Sequence, residues 1–236
     1  MAYAAPGTAQ DTPNLWSSNL EFGYTGANGN TSFSILSAAA SLSRVQQERF
    51  ELELSGRFRW GKNDDEVIAN DVQATTKFDW QPQATISPFL FATGSRDVIR
   101  NLDGRLLAGG GAKWTFWLPS PETKMSASLA AVVDHENYRL EAGSPGPETI
   151  TVARWSGRVK FDHSFGSGAA FQHITFWQPQ MSGFSDYLVD ISNSLSTRLL
   201  SNLSLVINHS FIHDEVPPPG AEKDDQRLAV VLRVSL

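Results

Sequence analysis

The sequence predicts an all-β protein: a single transmembrane up-and-down antiparallel β-barrel of about 12 strands. Three observations lead to this prediction. Apolar and polar residues alternate along most of the chain, helical spacing of apolar residues is nearly absent, and the length of 236 residues suits one domain. The alternation alone does not show which face of the strands contacts water.

Composition narrows the functions that the chain can have. The net charge is −6, from 19 Lys and Arg against 25 Asp and Glu, so there is no basic excess to neutralise a nucleic acid. No cysteine is present, which excludes disulfides, thiolate catalysis and metal sites with cysteine ligands. The five histidines are too few and too far apart in the sequence to indicate a metal site. We therefore expect no nucleic-acid partner, no cofactor and no metal.

The clearest strand lies between Arg49 and Trp60. Every second residue from Phe50 to Trp60 is apolar or Gly, and the residues between them are Glu, Ser or Arg. The chain ends in the same pattern, from Leu228 to Leu236. Near residues 33–42 the pattern changes phase, because Phe33 and Ile35 do not alternate with the apolar residues that follow, and this predicts a bulge.

Connections between strands alternate in length. Short turns are predicted at 44–47, 81–83, 119–122, 166–168 and 199–202, and longer polar loops at 62–70, 96–104, 136–148, 178–186 and 214–225. In an antiparallel meander this rhythm places the long loops at one end, extracellular, and the short periplasmic turns at the other end with both termini. Residues 1–14 are predicted to be a flexible lead-in left after signal cleavage, and residues 15–236 the barrel.

The apolar face is predicted to point outward. A barrel of about twelve strands is too wide to fill its bore with an apolar core, whereas an outer-membrane barrel has an apolar outer band, two aromatic belts and a polar lumen. Aromatics make up 11% of the chain. One belt would contain Trp16, Trp80, Phe89, Phe116, Phe161 and Phe165, and the other Tyr24, Trp60, Trp155 and Phe211. The predicted location is the outer membrane of a Gram-negative bacterium, with phospholipid and lipopolysaccharide as lipid partners.

Several short segments resemble a known family. These are Leu20 to Tyr24 leading into Gly29 to Thr31, Ser87 to Phe91 with Arg96-Asp97, Leu102 to Arg105, Gly109 to Ala112, and Pro217 to Gly220 followed by Asp224-Asp225. Together they resemble the salt-induced outer-membrane proteins of Gram-negative bacteria, a β-barrel family of unknown function. The resemblance implies an outer-membrane barrel and transfers no catalytic residue. Leu236 stands where outer-membrane strands usually end in an aromatic, so recognition by the outer-membrane insertion machinery is expected to be weaker than usual.

Strand alternation also predicts which charged residues line the lumen. They are Arg49, Glu51, Glu53, Arg57, Arg59, Lys77, Asp79, Arg105, Lys113, Arg154, Arg158, Lys160, Asp162, Asp190, Arg198 and Arg233. With Lys124, Glu21, Asp71 and Asp134 added, the predicted wall carries an excess of about four positive charges.

Three functions are compatible with this wall. The first is a narrow passive channel for small anionic solutes, since a low-dielectric bore focuses the field of its charges. The second is a closed barrel for structure, adhesion or assembly, in which the charges pair across strands and plug the lumen. The third and most distant is an outer-membrane lipid hydrolase. An enzyme is not expected, because in His163-Ser164 and His209-Ser210 adjacent strand residues point to opposite faces. Gly109 to Gly111 is expected to allow close approach of two strands or a bend.

Overall fold

The computed structural model describes residues 15–27, 32–46, 49–64, 66–140, 147–166, 168–217 and 222–236. Within these ranges the chain forms twelve strands: β1 (Leu15–Ala27), β2 (Phe33–Gln46), β3 (Phe50–Asn63), β4 (Glu66–Trp80), β5 (Ile86–Asp97), β6 (Leu102–Ser120), β7 (Thr123–Tyr138), β8 (Thr149–Phe165), β9 (Ala169–Gln180), β10 (Gly183–Arg198), β11 (Leu203–Asp214) and β12 (Asp224–Ser235). The predicted lead-in, residues 1–14, lies outside the described residues. No helix in the described ranges is long and apolar enough to cross a membrane.

Each strand pairs antiparallel with its neighbours in sequence, and β1 pairs with β12, so the sheet closes into a barrel. This confirms the predicted all-β antiparallel barrel of about twelve strands. We call the end that carries Leu15 and Leu236 the terminal end, and the opposite end the loop end. The closing pair β1–β12 has the shortest register, from Asn19–Ser235 to Phe22–Leu232. A buried ion pair reinforces it, in which Arg233 Nη2 lies 2.6 Å from Glu21 Oε1.

Two of the predicted long loops are wrong. β3 ends at Asn63 and β4 begins at Glu66, where a loop over 62–70 was predicted. Likewise β9 ends at Gln180 and β10 begins at Gly183, within the predicted loop 178–186. The residues at these places continue the strand pairing to the rim of the barrel. Their composition is like that of a loop, so the sequence did not distinguish them from one. The wider connections at the loop end are those between β7 and β8 and between β11 and β12.

The bulge predicted near Phe33 is also wrong. β2 pairs with both β1 and β3 without any register shift, so Phe33 and Ile35 belong to the same uninterrupted strand as the residues that follow. Their side chains lie on the inner face at the loop end, while Leu36 is exposed on the outer face. Apolar residues near the rim of the lumen therefore produced the apparent change of phase.

The outer wall is apolar and carries the aromatic side chains at both ends. Trp16 and Trp80 are 56% and 57% exposed near the terminal end, and Tyr24 is 71% exposed near the loop end. Phe89 departs from the prediction, because it faces inward and is only 7% exposed. Pairing explains the difference: Phe89 is opposite Gly111, and Ser87 and Phe91 share its face, so the inner face of β5 contains two phenylalanines.

Five polar side chains on neighbouring strands interrupt the apolar outer wall; we call them the polar row. Thr175 Oγ1 lies 2.9 Å from His173 Nε2, and His173 Nδ1 lies 2.8 Å from Asn193 Oδ1. Asn193 Nδ2 lies 3.2 Å from His209 Nδ1, and His209 Nε2 lies 2.9 Å from the side-chain amide of Gln226. His209 lies among apolar residues of the outer wall. The row satisfies its own hydrogen-bonding groups in these surroundings.

Candidate solute pathway in the barrel lumen

The inner wall collects most of the charged residues that alternation predicts. Fourteen of the sixteen lie on inner faces of strands: Glu51, Glu53, Arg57, Arg59, Lys77, Asp79, Arg105, Lys113, Arg154, Arg158, Lys160, Asp162, Asp190 and Arg233. The other two do not line the lumen. Arg49 is exposed in the turn before β3, where its N–H donates to the Gln46 carbonyl, and Arg198 is exposed at the terminal end of β10.

A five-residue ionic network occupies the inner wall toward the loop end. Arg105 donates to both carboxylate oxygens of Asp134, at 2.8 and 2.5 Å, and its Nε lies 3.2 Å from Glu136. Arg154 Nη1 donates to Asp186 at 2.8 Å, and its Nε lies 3.8 Å from Asp134. Asp134 is completely buried, so its charge depends on these two arginines. Sequence reasoning missed Glu136 and Asp186 as wall residues because both fell inside predicted loops.

Further ion pairs link the inner faces of single strands or of neighbouring strands. Arg59 Nε donates to Asp71 at 2.7 Å across β3 and β4, and Lys160 Nζ lies 3.1 Å from Asp162 within β8. The remaining pairs of this kind are Lys77–Asp79, Arg227–Asp225 and Arg233–Glu21. Arg100, in the turn between β5 and β6, reaches Asp214 at the end of β11. Most cations of the wall therefore have a carboxylate partner.

The predicted positive excess of the wall is wrong. Arg49 and Arg198 leave the predicted set and Arg100 and Arg227 join it, while five acids join it: Asp97, Glu136, Asp186, Asp214 and Asp225. The predicted excess of about four positive charges becomes a charge of about −1, so the wall is close to neutral. The additional acids sit toward the loop end, where the strands extend further than the alternation predicted.

The lumen contains two cavities. The terminal-side cavity has a volume of about 350 Å³ and is lined by charged side chains such as Glu53, Lys113 and Lys124. The loop-side cavity has a volume of about 460 Å³ and is lined by Arg57, Asp190 and many hydroxyl, amide and apolar side chains. The two cavities share four lining residues, Lys77, Arg158, Gln172 and Ile174, which we call the junction. Because they share these residues, the cavities adjoin along the barrel axis.

Four inner cations form no ion pair with a carboxylate among the described residues: Arg57, Lys113, Lys124 and Arg158. Arg57 is exposed to the loop-side cavity. Lys113 donates to the Pro82 carbonyl at 3.2 Å. Arg158 is 8% exposed, its guanidinium carbon lies 5.9 Å from the centroid of the Phe176 ring, and its Nε has no hydrogen-bond partner. None of these four cations is therefore neutralised by a carboxylate in the described part of the chain.

Catalytic or metal chemistry finds no support in the arrangement of these side chains. His163 and His209 lie on the outer wall, whereas Ser164 and Ser210 line the cavities, so neither pair can act as a nucleophile and its base. His213 lies at the loop end, 2.6 Å from Asp224 and 3.2 Å from Glu215. Among the described residues no group of three His, Cys, Asp or Glu side chains could hold a metal ion.

The exposed connection after β11 carries a surface ion pair. Lys223 Nζ donates to Glu215 Oε1 at 2.7 Å. This hydrogen bond lowers the pKa of Glu215 and raises the pKa of Lys223. Both groups therefore stay charged over a wide range of pH.

Several solved structures resemble this fold at low sequence identity. The NanC porin superimposes with a TM-score of 0.54 and 9% identity, over 93% of this chain and 98% of that chain. The KdgM porin gives a TM-score of 0.48 and 8% identity, over 94% and 99%. The translocator domain of the autotransporter NalP from Neisseria meningitidis gives 0.48 and 8%, over 96% and 88%. The NanC likeness supports an outer-membrane porin fold.

Two sequence comparisons, one with curated proteins and one with protein-family models, give different results. No curated protein sequence matches the chain significantly. Residues 20–236 match the family model described as "Protein of unknown function, DUF481". The match starts within β1 and runs to the last residue, so it includes all the strands that form the lumen. The chain therefore belongs to the DUF481 family of proteins of unknown function.

Proposed function

We propose that this protein is a narrow passive channel in the outer membrane of a Gram-negative bacterium and that it passes small anionic solutes. The observation that carries the proposal is the pair of adjoining cavities, which occupy both halves of the lumen and meet at the junction. A wall of charged and hydroxyl side chains can replace part of the hydration shell of a solute on its way through. The fold shared with porins agrees with this function by analogy.

The anionic preference rests on the charges that have no partner. Arg57, Lys113, Lys124 and Arg158 form no ion pair, and among the acids the same holds for Glu51, Glu53, Asp97 and Asp190 within the described part of the chain. Four free cations thus face four free carboxylates in a wall that is close to neutral, so the preference for anions depends on position, with Arg158 at the junction that a solute passes.

Conductance of the purified protein in planar bilayers tests the channel. We expect discrete openings and a reversal potential on the anion side in a KCl gradient. The Arg57→Gln variant should shift the reversal potential toward cations without loss of folded protein, because Arg57 has no carboxylate that the change would leave unpaired. Arg44→Gln is the matched control, since Arg44 stacks at 5.3 Å on Trp16 of the outer wall.

A closed barrel is the second candidate, and the network around Asp134 favours it. Two arginines and three acids fill part of the lumen with mutual ion pairs, as a structural plug would. In that case the folded protein would give no discrete openings, and Arg57→Gln would change neither current nor selectivity. Such a barrel would serve adhesion or assembly through its loops.

The partners that we propose follow from the outer wall and the chain end. Phospholipid and lipopolysaccharide would cover the apolar outer band, and the insertion machinery would recognise β12. In this orientation the terminal end faces the periplasm. We also propose that the protein is salt-induced, as its sequence motifs suggest. A rise in its level when the medium is shifted to high NaCl, measured by immunoblot, supports this, and an unchanged level contradicts it.

A further inference from the structure

The loop-side cavity has two unlike walls. Inner positions of β10 to β12 and β1 to β4 carry mostly hydroxyl, amide and charged side chains, with Leu188 and Ile212 as apolar exceptions in the cavity lining. Inner positions of β5 to β9 instead carry an apolar patch, made of Phe89, Phe91, Leu107, Ala130, Ile174 and Phe176. Apolar side chains that face water do not stabilise a water-filled lumen. The patch therefore indicates a ligand with an apolar part inside the cavity.

The patch contains three phenylalanine rings: Phe91 and Phe176 keep part of their surface open, whereas Phe89 is 7% exposed and has the Lys77 ammonium 5.7 Å from its ring centroid. The Phe89 and Phe91 rings lie 6.2 Å apart with an interplanar angle of 32°. On β6 they are paired with Gly111 and Gly109, so no side chain of β6 stands opposite either ring. Phe91, Leu107 and Phe176 are only partly buried, and their remaining surface faces the cavity. A flat apolar body could therefore pack against this wall.

A cation with unused hydrogen-bonding capacity borders the same patch. Arg158 belongs to the junction, and its guanidinium lies 5.9 Å from the Phe176 ring centroid. It is more than nine-tenths buried, and its Nε finds no partner in the described structure. A buried guanidinium N–H without an acceptor is costly, and a carboxylate is the acceptor that fits its geometry best. Across the cavity Arg57 adds a second cation, surrounded by Arg59, Asp71, Asp190 and Arg227.

We propose that the loop-side cavity is a binding site for a small aromatic carboxylate. Its carboxylate accepts from Arg158 at the junction, and its ring packs on the phenylalanines of the apolar patch. The volume of about 460 Å³ accommodates a molecule of this size. An acidic sugar fits this half of the wall less well, because its hydroxyls would meet phenylalanine, isoleucine and leucine side chains that offer no partner. The proposal rests on the proposed function, since it names the solute class of the same lumen.

Binding to the folded wild-type protein in detergent tests the proposal without any measurement of current. By calorimetry, benzoate should bind roughly tenfold or more tightly than acetate, which lacks the ring, and than benzyl alcohol, which lacks the charge. Equal affinities for benzoate and acetate would show a site for any anion and would overturn the proposal. The absence of benzoate binding would overturn it as well.

Variants locate the site. Arg158→Met keeps the apolar stem and should weaken benzoate binding roughly tenfold or more, because it removes the charged donor. Phe176→Leu keeps an apolar side chain and should weaken benzoate but not acetate. Lys124→Met is the matched control: it removes another cation without an ion pair, but from the terminal-side cavity, and benzoate affinity should not change. If Lys124→Met weakens binding as much as Arg158→Met, the proposed site is wrong.

The channel proposal and the binding-site proposal can be contradicted independently of each other. A protein that binds benzoate but gives no openings keeps the site and loses the channel, whereas one that conducts but does not distinguish benzoate from acetate keeps the channel and loses the site. In a conducting protein, benzoate should also interrupt the current, and Arg158→Met should shorten the interruptions.

Discussion

Gly109 and Gly111 determine how closely β6 and β7 approach. A Cβ atom at Gly111 would meet the carbonyl oxygen of Leu129 and the backbone of Ala130, and one at Gly109 would meet the carbonyl oxygen of Ala131. The obstacle in each case is backbone, which cannot turn aside as a side chain can. This confirms the close strand approach expected from the glycine run.

Replacing Gly111 should therefore cost stability. We expect Gly111→Val to lower the free energy of unfolding by about 1–3 kcal/mol, as overpacking does in tightly packed sites. Urea unfolding in lipid vesicles, followed by tryptophan fluorescence, measures the change. Gly94→Val is the control, because a Cβ at Gly94 has no atom within 4 Å, and its midpoint should stay close to that of the wild type. Equal midpoints for both variants would contradict the packing argument.

The polar row crosses four strands and can form one directional chain of neutral groups. If Thr175 donates to His173 Nε2, then His173 Nδ1 donates to Asn193 Oδ1, and the Asn193 amide donates to His209 Nδ1. His209 Nε2 then donates to the amide oxygen of Gln226, with that amide turned accordingly. Each side chain supports its neighbour, so the row acts as a unit at the surface that meets lipid.

Breaking the row in the middle should be worse than removing it. Asn193→Leu leaves one ring nitrogen of each histidine without a partner and should lower the free energy of unfolding by about 1–3 kcal/mol. The combined variant Thr175→Val, His173→Leu, Asn193→Leu, His209→Leu and Gln226→Leu removes all five polar side chains of the row and should recover most of that loss. Urea midpoints in vesicles compare the two. A combined variant less stable than Asn193→Leu would contradict the argument.

The same strands show how far sequence reasoning reaches. Alternation predicted the facing of β3 residue by residue, because one face is wholly apolar and the other wholly polar. It failed for the ends of β3, β4, β9 and β10, where Gly, Pro and polar residues interrupt the regular alternation. It also could not predict the polar row. The hydrogen-bond partner of each histidine or asparagine lies on the same or the next strand, and only the register shows which residues on neighbouring strands are opposite each other.

For the whole molecule, the balance of charge inside the barrel depends on register. Arg154 reaches Asp186 and Asp134, while Arg158, two positions along the same face, has no carboxylate partner. Nothing in the sequence around these two arginines distinguishes them. The sequence therefore predicted the residues of the lumen well but not its net charge, and the channel and ligand proposals depend on the cations that pairing leaves free.

The central claim is that the polar face of the barrel encloses water while the apolar face meets lipid. The chain contains no cysteine, so single cysteines report on one position each. Ser55 lines the loop-side cavity, and its neighbour Leu54 is 44% exposed on the outer wall. In lipid vesicles, a charged, membrane-impermeant thiol reagent should label Ser55→Cys and leave Leu54→Cys unlabelled. Labelling of Leu54→Cys with protection of Ser55→Cys would contradict the account.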